Sequence, residues 1–202
     1  MNNISTVKKI TFTAIFAAIA TIIMFFEFPI PFMPPFLKVD LSGAVILIAA
    51  YVLGLGPAIS AALIKDLLHL FSTTTGGSGE LADFLMTSTL VIIAYLFYRN
   101  RMDRKFAIIG CISGTLAMSV MGMITNKLII IPFYSQLMPI DAIISACTEV
   151  NPLIGSLNGY LMFGVFPFNL LKGAILSVVA IALQQKLGSF IRNTNFRTLQ
   201  NS

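Results

Sequence analysis

Lys65, Asp66 and His69 fall within five residues of one another, Glu80 and Asp83 follow in the next apolar run, and Asn126, Lys127, Asn158, Asn169 and Lys172 come later. All are polar groups set in apolar sequence or at its ends. A charge at mid-bilayer costs on the order of 3 kcal/mol or more, so such residues normally face an interior cavity or a partner. Lys172 is the most demanding of them. It lies one turn after Asn169 on the same helical face, with no carboxylate three or four residues away on either side. An ammonium donates, and a carboxamide both donates and accepts. Asn169 and Lys172 are therefore read as ligand-binding groups of a pocket for a polar-edged solute.

The other groups have plainer explanations that stay open. Lys65 and Asp66 are adjacent, so they point about 100° apart on a helix and are accounted for by snorkelling or capping at a span end. His69 is a lone histidine without a second ligand at metal spacing. Asp83 suits the start of a helix, where the dipole favours a negative charge. His69, Asp66 and Glu80 lie within fifteen residues and could supply acid–base groups to an intramembrane enzyme. That alternative lacks a nucleophile motif and a metal-ligand set.

The elements that must hold these groups follow from composition. Of 202 residues, 57% are hydrophobic and 10% charged, with a mean hydropathy of +0.91. A soluble domain carries about 25% charged residues, so the bilayer is the expected solvent. The apolar residues fall in long blocks and not in the short alternating segments of a barrel. The chain reads as an all-α integral membrane protein, one domain over residues 1–202 with six transmembrane helices. The spans are expected at about 10–26, 41–53, 58–71, 81–98, 106–131 and 156–187, with Pro132 closing the fifth and Pro167 kinking the sixth. The first run reaches Phe26, longer than an ordinary signal-peptide core, and is expected to remain as a span. Cys111 and Cys147 are 36 residues apart, are expected towards opposite faces, and have no metal-ligand spacing.

Lys8, Lys9, the four basic residues from Arg99 to Lys105, and Lys186, Arg192 and Arg197 make nine of thirteen lysines and arginines. Six spans bring all of them to one side, which the positive-inside rule makes cytoplasmic. Both termini are then inside a cell membrane. The net charge of +5 orients the chain and does not call for nucleic acid. The connections at 27–40, 72–79 and after Pro132 face out, with Lys38 their only basic residue. Most polar groups then belong to the outward half, and the inward half is apolar. That asymmetry fits a cup open to the outside better than a pore, with Phe28, Phe32 and Phe36 on a proline-rich lid. In the first span, Ala14-x-x-x-Ala18 is a small-residue pattern that admits close approach of a second helix, either within the bundle or from a partner.

Several segments together carry a resemblance. They are Phe32-Met33-Pro34-Pro35-Phe36-Leu37-Lys38-Val39-Asp40, Lys65-Asp66-Leu67-Leu68-His69, Gly76-Gly77-Ser78-Gly79-Glu80-Leu81-Ala82-Asp83, Asn126-Lys127 and Phe166-Pro167-Phe168-Asn169-Leu170-Leu171-Lys172-Gly173. In this order the sequence resembles the riboflavin-binding S components of energy-coupling factor (ECF) transporters over nearly its whole length. The resemblance implies a non-enzymatic six-helix subunit that captures riboflavin from outside, with riboflavin as transported ligand and no cofactor. It implies as partners a transmembrane coupling protein and two cytoplasmic ATPases; the chain has no phosphate-binding loop of its own. By matching, Asn126, Asn169 and Lys172 would hydrogen-bond the flavin, Asp40, Gly79, Glu80 and Leu81 would contribute near the loops, and Ala14 and Ala18 would contact the coupling protein. An S component for another vitamin is the rival reading. The lack of loop cations favours the unphosphorylated flavin over FMN.

Overall fold

The computed structural model describes residues 2–29, 37–73, 75–99, 101–136, 139–150 and 152–193, with side chains at all of these except 2–5, 143, 146, 150 and 185–193. Helix α1 runs Asn2–Met24 and leads into a two-stranded antiparallel ribbon, β1 (Phe28–Pro29) paired with β2 (Lys38–Val39) in the register Phe28↔Val39 and Pro29↔Lys38. Helices α2 (Ser42–Leu53) and α3 (Leu55–His69) follow, the latter extended by a 3-10 turn over Leu70–Ser72. Then come α4 (Ser78–Tyr98), α5 (Arg104–Thr125), a π turn at Asn126–Ile130, and α6 (Ile131–Tyr134). The chain closes with α7 (Ile140–Val150), α8 (Leu157–Gly159), a π turn at Tyr160–Val165, and α9 (Phe166–Asn193). Phe32 and Phe36, expected on a lid, lie outside the described residues, as does Arg197.

Among the described residues, five helical stretches are long and apolar enough to cross a membrane: Thr6–Met24, Leu55–Ser72, Ser78–Tyr98, Arg104–Tyr134 and Leu157–Gln184. The span expected at 41–53 is α2. Its 12 residues make about 18 Å of helix, against a hydrocarbon core of about 30 Å. Every residue of α2 is buried, and it packs against α1, α3, α4 and α9. A helix apolar all round is stable only when surrounded, and α2 is the centre of the bundle. The surrounding helices turn apolar stripes outward: Ile15, Ile19 and Ile22 on α1, Ile112, Leu116 and Val120 on α5. So much contiguous exposed apolar surface is untenable in water and suits lipid.

The tightest helix pair is α4 with α5, and glycine explains it. A Cβ at Gly110 would sit 2.6 Å from the Ala94 carbonyl oxygen, and one at Gly114 would sit 2.7 Å from that of Leu90. Backbone-to-backbone contact of this kind is the use of small residues in membrane helices. The start of α5 is fixed by Asp103, whose carboxylate accepts from the Lys105 backbone N–H at 2.6 Å, an N-cap bond.

One expectation about proline is corrected, and the other proline lies inside helix as expected. Pro132 does not close the fifth span; helical structure continues to Tyr134. Pro167 lies within helix, directly after the second π turn. A proline lacks the N–H for the carbonyl four residues back, and its ring crowds that carbonyl. The wider π turn before each proline relieves the conflict and lets the helix go on. The long connection after Pro132 is also more ordered than a loop, since it contains α7.

Candidate functional site

The site begins with the glycine turn that starts α4. Gly76 and Gly77 have φ of +59° and +89°, left-handed values that glycine adopts without a Cβ penalty. The turn swings Thr75 back over the helix start, where its hydroxyl accepts from Gly79 N–H at 3.1 Å and donates to Glu80 Oε2 at 2.9 Å. A Cβ on Gly79 would lie 2.7 Å from that hydroxyl oxygen, so the capping bond depends on glycine there. Glu80 Oε1 in turn meets His69 Nδ1 at 3.0 Å, and the His69 ring packs on Phe25 with centroids 5.3 Å apart. The end of α3 and the start of α4 are thus joined by hydrogen bonds, and the His69–Phe25 ring contact ties in the end of α1.

Beneath it lies a network of buried charge. Lys172 on α9 donates to Asp83 Oδ1 at 2.7 Å and to Asp40 Oδ2 at 3.1 Å. Lys65 on α3 donates to Asp83 Oδ2 and to Asp66 Oδ1, both at 2.7 Å. Asp40 also accepts from the Ser42 backbone N–H at 2.8 Å and from the Ser42 hydroxyl. All five charged groups are nearly inaccessible, Lys65 completely so at 0% exposure. Pairing is what makes such burial tolerable. Lys65 is therefore not snorkelling, Asp83 is more than a helix-start charge, and the acceptors that Lys172 lacks on its own helix come from the segment before α2 and from α4.

The amides form a second cluster where the two π turns meet. Asn126 donates to the Gly122 carbonyl at 2.8 Å and accepts from the Tyr160 hydroxyl at 2.8 Å. Asn169 donates to the Val165 carbonyl at 2.9 Å. A Cβ on Gly122 would fall 2.5 Å from Asn169 Nδ2, so that glycine makes room for the second amide. The Asn169 side-chain oxygen is buried with no hydrogen-bond partner among the described residues.

These groups surround a half-open cavity of about 160 Å³. Asp40, Gly79, Glu80, Asp83, Asn126 and Lys172 line it, and Met24, Leu37, Met86, Ile130 and Phe168 make its apolar wall. Glu27 and Lys38 form an ion pair at the mouth, each side chain about one-third exposed (30% and 34%). Apolar walls with a few convergent polar groups are the usual make-up of a small-molecule site. The expected binding residues mostly converge here, with two exceptions. Leu81 is 50% exposed and does not line the cavity, because on α4 it points about 100° away from Glu80. Asn169 sits behind the wall on Gly122. Lys127 and Asn158 are exposed and take no part.

Sequence reasoning gave little weight to Asp83 and Lys65 and did not single out Tyr160 or Thr75. One signal was present: two intramembrane lysines and three aspartates within reach of the same bundle end, which charge balance requires to meet. The acid–base triad is not assembled. His69 meets Glu80, whereas Asp66 is held by Lys65. Cys111 and Cys147 are free and buried in separate apolar clusters. Burial pushes the Cys147 thiol up to about 11, so it stays protonated near neutral pH. Ala14 and Ala18 are exposed on α1, while Ala17 and Ala20 face the bundle, which leaves the small-residue stripe on the outer surface.

Fold and site together define a helical membrane protein with a small-solute cavity at one end of its bundle. Residues 8–184 match the family model "ECF transporter, substrate-specific component", and the chain belongs to that family. It is 30% identical over 185 residues to the riboflavin transporter RibU of Staphylococcus aureus (strain TCH60), covering 92% of this chain and 93% of the relative. To the riboflavin transporter FmnP of Bacillus subtilis (strain 168) it is 26% identical over 188 residues, 92% and 94% of the two chains. The solved S component of a bacterial ECF transporter, 29% identical, superposes with a TM-score of 0.75 over 92% of this chain and 98% of that one.

Proposed function

We propose that this chain is the riboflavin-binding subunit of an ECF-type vitamin transporter. It captures the vitamin from outside and passes it on with a separate coupling protein and two cytoplasmic ATPases. The observation that carries the reading is the cavity: the Lys172 ammonium, the carboxylates of Asp40, Glu80 and Asp83 and the Asn126 carboxamide on an apolar wall, in a chain whose relatives are named riboflavin transporters. A flavin ring offers carbonyls and an imide edge to the ammonium and amide, and its ribityl hydroxyls suit the carboxylates Asp40 and Glu80. The apolar wall, with Phe168, suits the dimethylbenzene edge. At about 160 Å³ the cavity is below the roughly 300 Å³ at which pockets for drug-sized ligands begin, so taking a three-ring solute requires the walls to part.

In this reading the molecule is one multi-pass domain of the cell membrane. The central α2 counts as a sixth, short span, and both termini are cytoplasmic. The basic residues Lys8, Lys9, Arg99, Arg101, Arg104 and Lys105 then fall on the cytoplasmic side, with the cavity at the opposite end. Exposure of Ala14 and Ala18 supports a coupling-protein contact on α1.

The test is a titration of the purified protein with riboflavin, FMN and an unrelated vitamin, read by quenching of flavin fluorescence and by competition. Saturable riboflavin binding at one site per chain is expected, with FMN weaker. Binding of the unrelated vitamin alone would make this an S component for a different solute.

A further inference from the structure

Lys65 and Lys172 are both buried ammonium groups bonded to Asp83, yet their donors are used differently. An ammonium has three N–H donors. Lys65 directs its three at Asp66 Oδ1, Asp83 Oδ2 and the Met24 sulfur, the last at 3.4 Å. It is fully buried and does not line the cavity. Lys172 does line the cavity, and its two recorded bonds go to Asp83 and Asp40. Among the described residues, one N–H remains for a solute.

The direction of that last donor depends on how Asp83 is held. Its Oδ2 accepts from Lys65 at 2.7 Å and from the Thr87 hydroxyl at 3.3 Å, leaving Oδ1 to Lys172. Without Lys65 the carboxylate could turn both oxygens towards Lys172 and draw its ammonium down from the cavity. We infer that Lys65, acting through Asp83, is a positioning residue that aims the one remaining donor of Lys172 at the solute. This rests on the riboflavin reading above, and it assigns affinity to a lysine that touches no ligand.

The test compares riboflavin dissociation constants for four proteins: native, Lys65→Met with Asp66→Asn, Lys172→Gln, and all three changes together. Pairing Lys65→Met with Asp66→Asn removes one charge of each sign, so the buried net charge is kept, and unfolding midpoints confirm that each variant is folded. The paired change is expected to weaken binding about tenfold or more in the native background, the scale of a hydrogen bond to a charged group. In the Lys172→Gln background it should change the constant less than about twofold, since coupled sites are not additive. Should the glutamine variant bind too weakly to measure, an Asp83→Asn background replaces it, with the same expectation. Native-like affinity of the paired variant, or an equal loss in both backgrounds, overturns the positioning role. Absence of riboflavin binding by the native protein is a different result and overturns the proposed function itself.

Discussion

Replacing Lys172 by alanine should injure both folding and binding, and the structure says by how much for each. The buried cluster holds two lysines, Lys65 and Lys172, against three aspartates, Asp40, Asp66 and Asp83, a net charge of −1. Lys172→Ala takes it to −2 and leaves Asp40 and one oxygen of Asp83 without their ammonium. Breaking a buried ion pair costs about 3–5 kcal/mol, a large part of a total stability of about 5–15 kcal/mol. The variant should therefore be recovered in low yield with a lowered unfolding midpoint. The ligand loses one hydrogen bond to a charged group, about 1.5–3 kcal/mol, or roughly 10- to 150-fold in dissociation constant. Adding Asp40→Asn returns the charge to −1 and should restore much of the midpoint while affinity stays weak. Thermal unfolding in detergent and riboflavin fluorescence titration on the same preparations separate the two effects. A double variant binding riboflavin within twofold of the native protein would refute the argument, because the ammonium would then contribute nothing to the ligand.

Four further outcomes are expected. Leu81→Ala should leave the riboflavin dissociation constant unchanged, since the side chain is half-exposed outside the cavity; a tenfold loss in titration would return Leu81 to the site. Gly79→Val should weaken binding about tenfold and lower the unfolding midpoint, because its Cβ displaces the Thr75 hydroxyl that caps α4 and holds Glu80. Tyr160→Phe removes the donor to Asn126 and should cost about 1–3 kcal/mol of stability, with a matching drop in midpoint that Asn126→Ala does not add to. Ala14→Leu with Ala18→Leu should abolish uptake by cells while riboflavin binding by the purified protein is retained, and loss of both activities would place that face inside the bundle.

What could be read from the sequence was whatever is local in the chain. Five of the expected spans were legible because each is a continuous apolar block, and the observed helices at Ser78–Tyr98 and Arg104–Tyr134 start within a few residues of the expected bounds. The polar end of the bundle was legible too, because a charge in an apolar block is conspicuous at any distance. Continuation of helix through Pro132 was not, because the widened turn that allows it depends on what packs around it. The α4–α5 seam at Gly110 and Gly114 escaped notice for the same reason, as a glycine spacing gains meaning only when a neighbour's carbonyl lies on it. Leu81 shows the limit of carrying roles across by motif. It lies between Glu80 and Ala82, both on the cavity wall, yet its own side chain faces away.

The least local feature is the one on which the proposed function turns. Lys172 and Asp40 are bonded across 132 positions, and Lys172 and Asp83 across 89, so no window of sequence contains either pair. Charge balance alone required that intramembrane lysines find carboxylates; it did not say how many each would find. That number separates the two lysines. Three occupied donors make Lys65 a fixed strut, and a lysine with no partner could not stay buried at this depth. With two bonds made among the described residues and a place on the cavity wall, Lys172 would, in the proposed function, give its third donor to a solute carbonyl. Such a site would discriminate by the acceptor it lacks, because a solute of the same shape without an oxygen or ring nitrogen at that point would bury the donor unpaired, at a cost of about 1–3 kcal/mol.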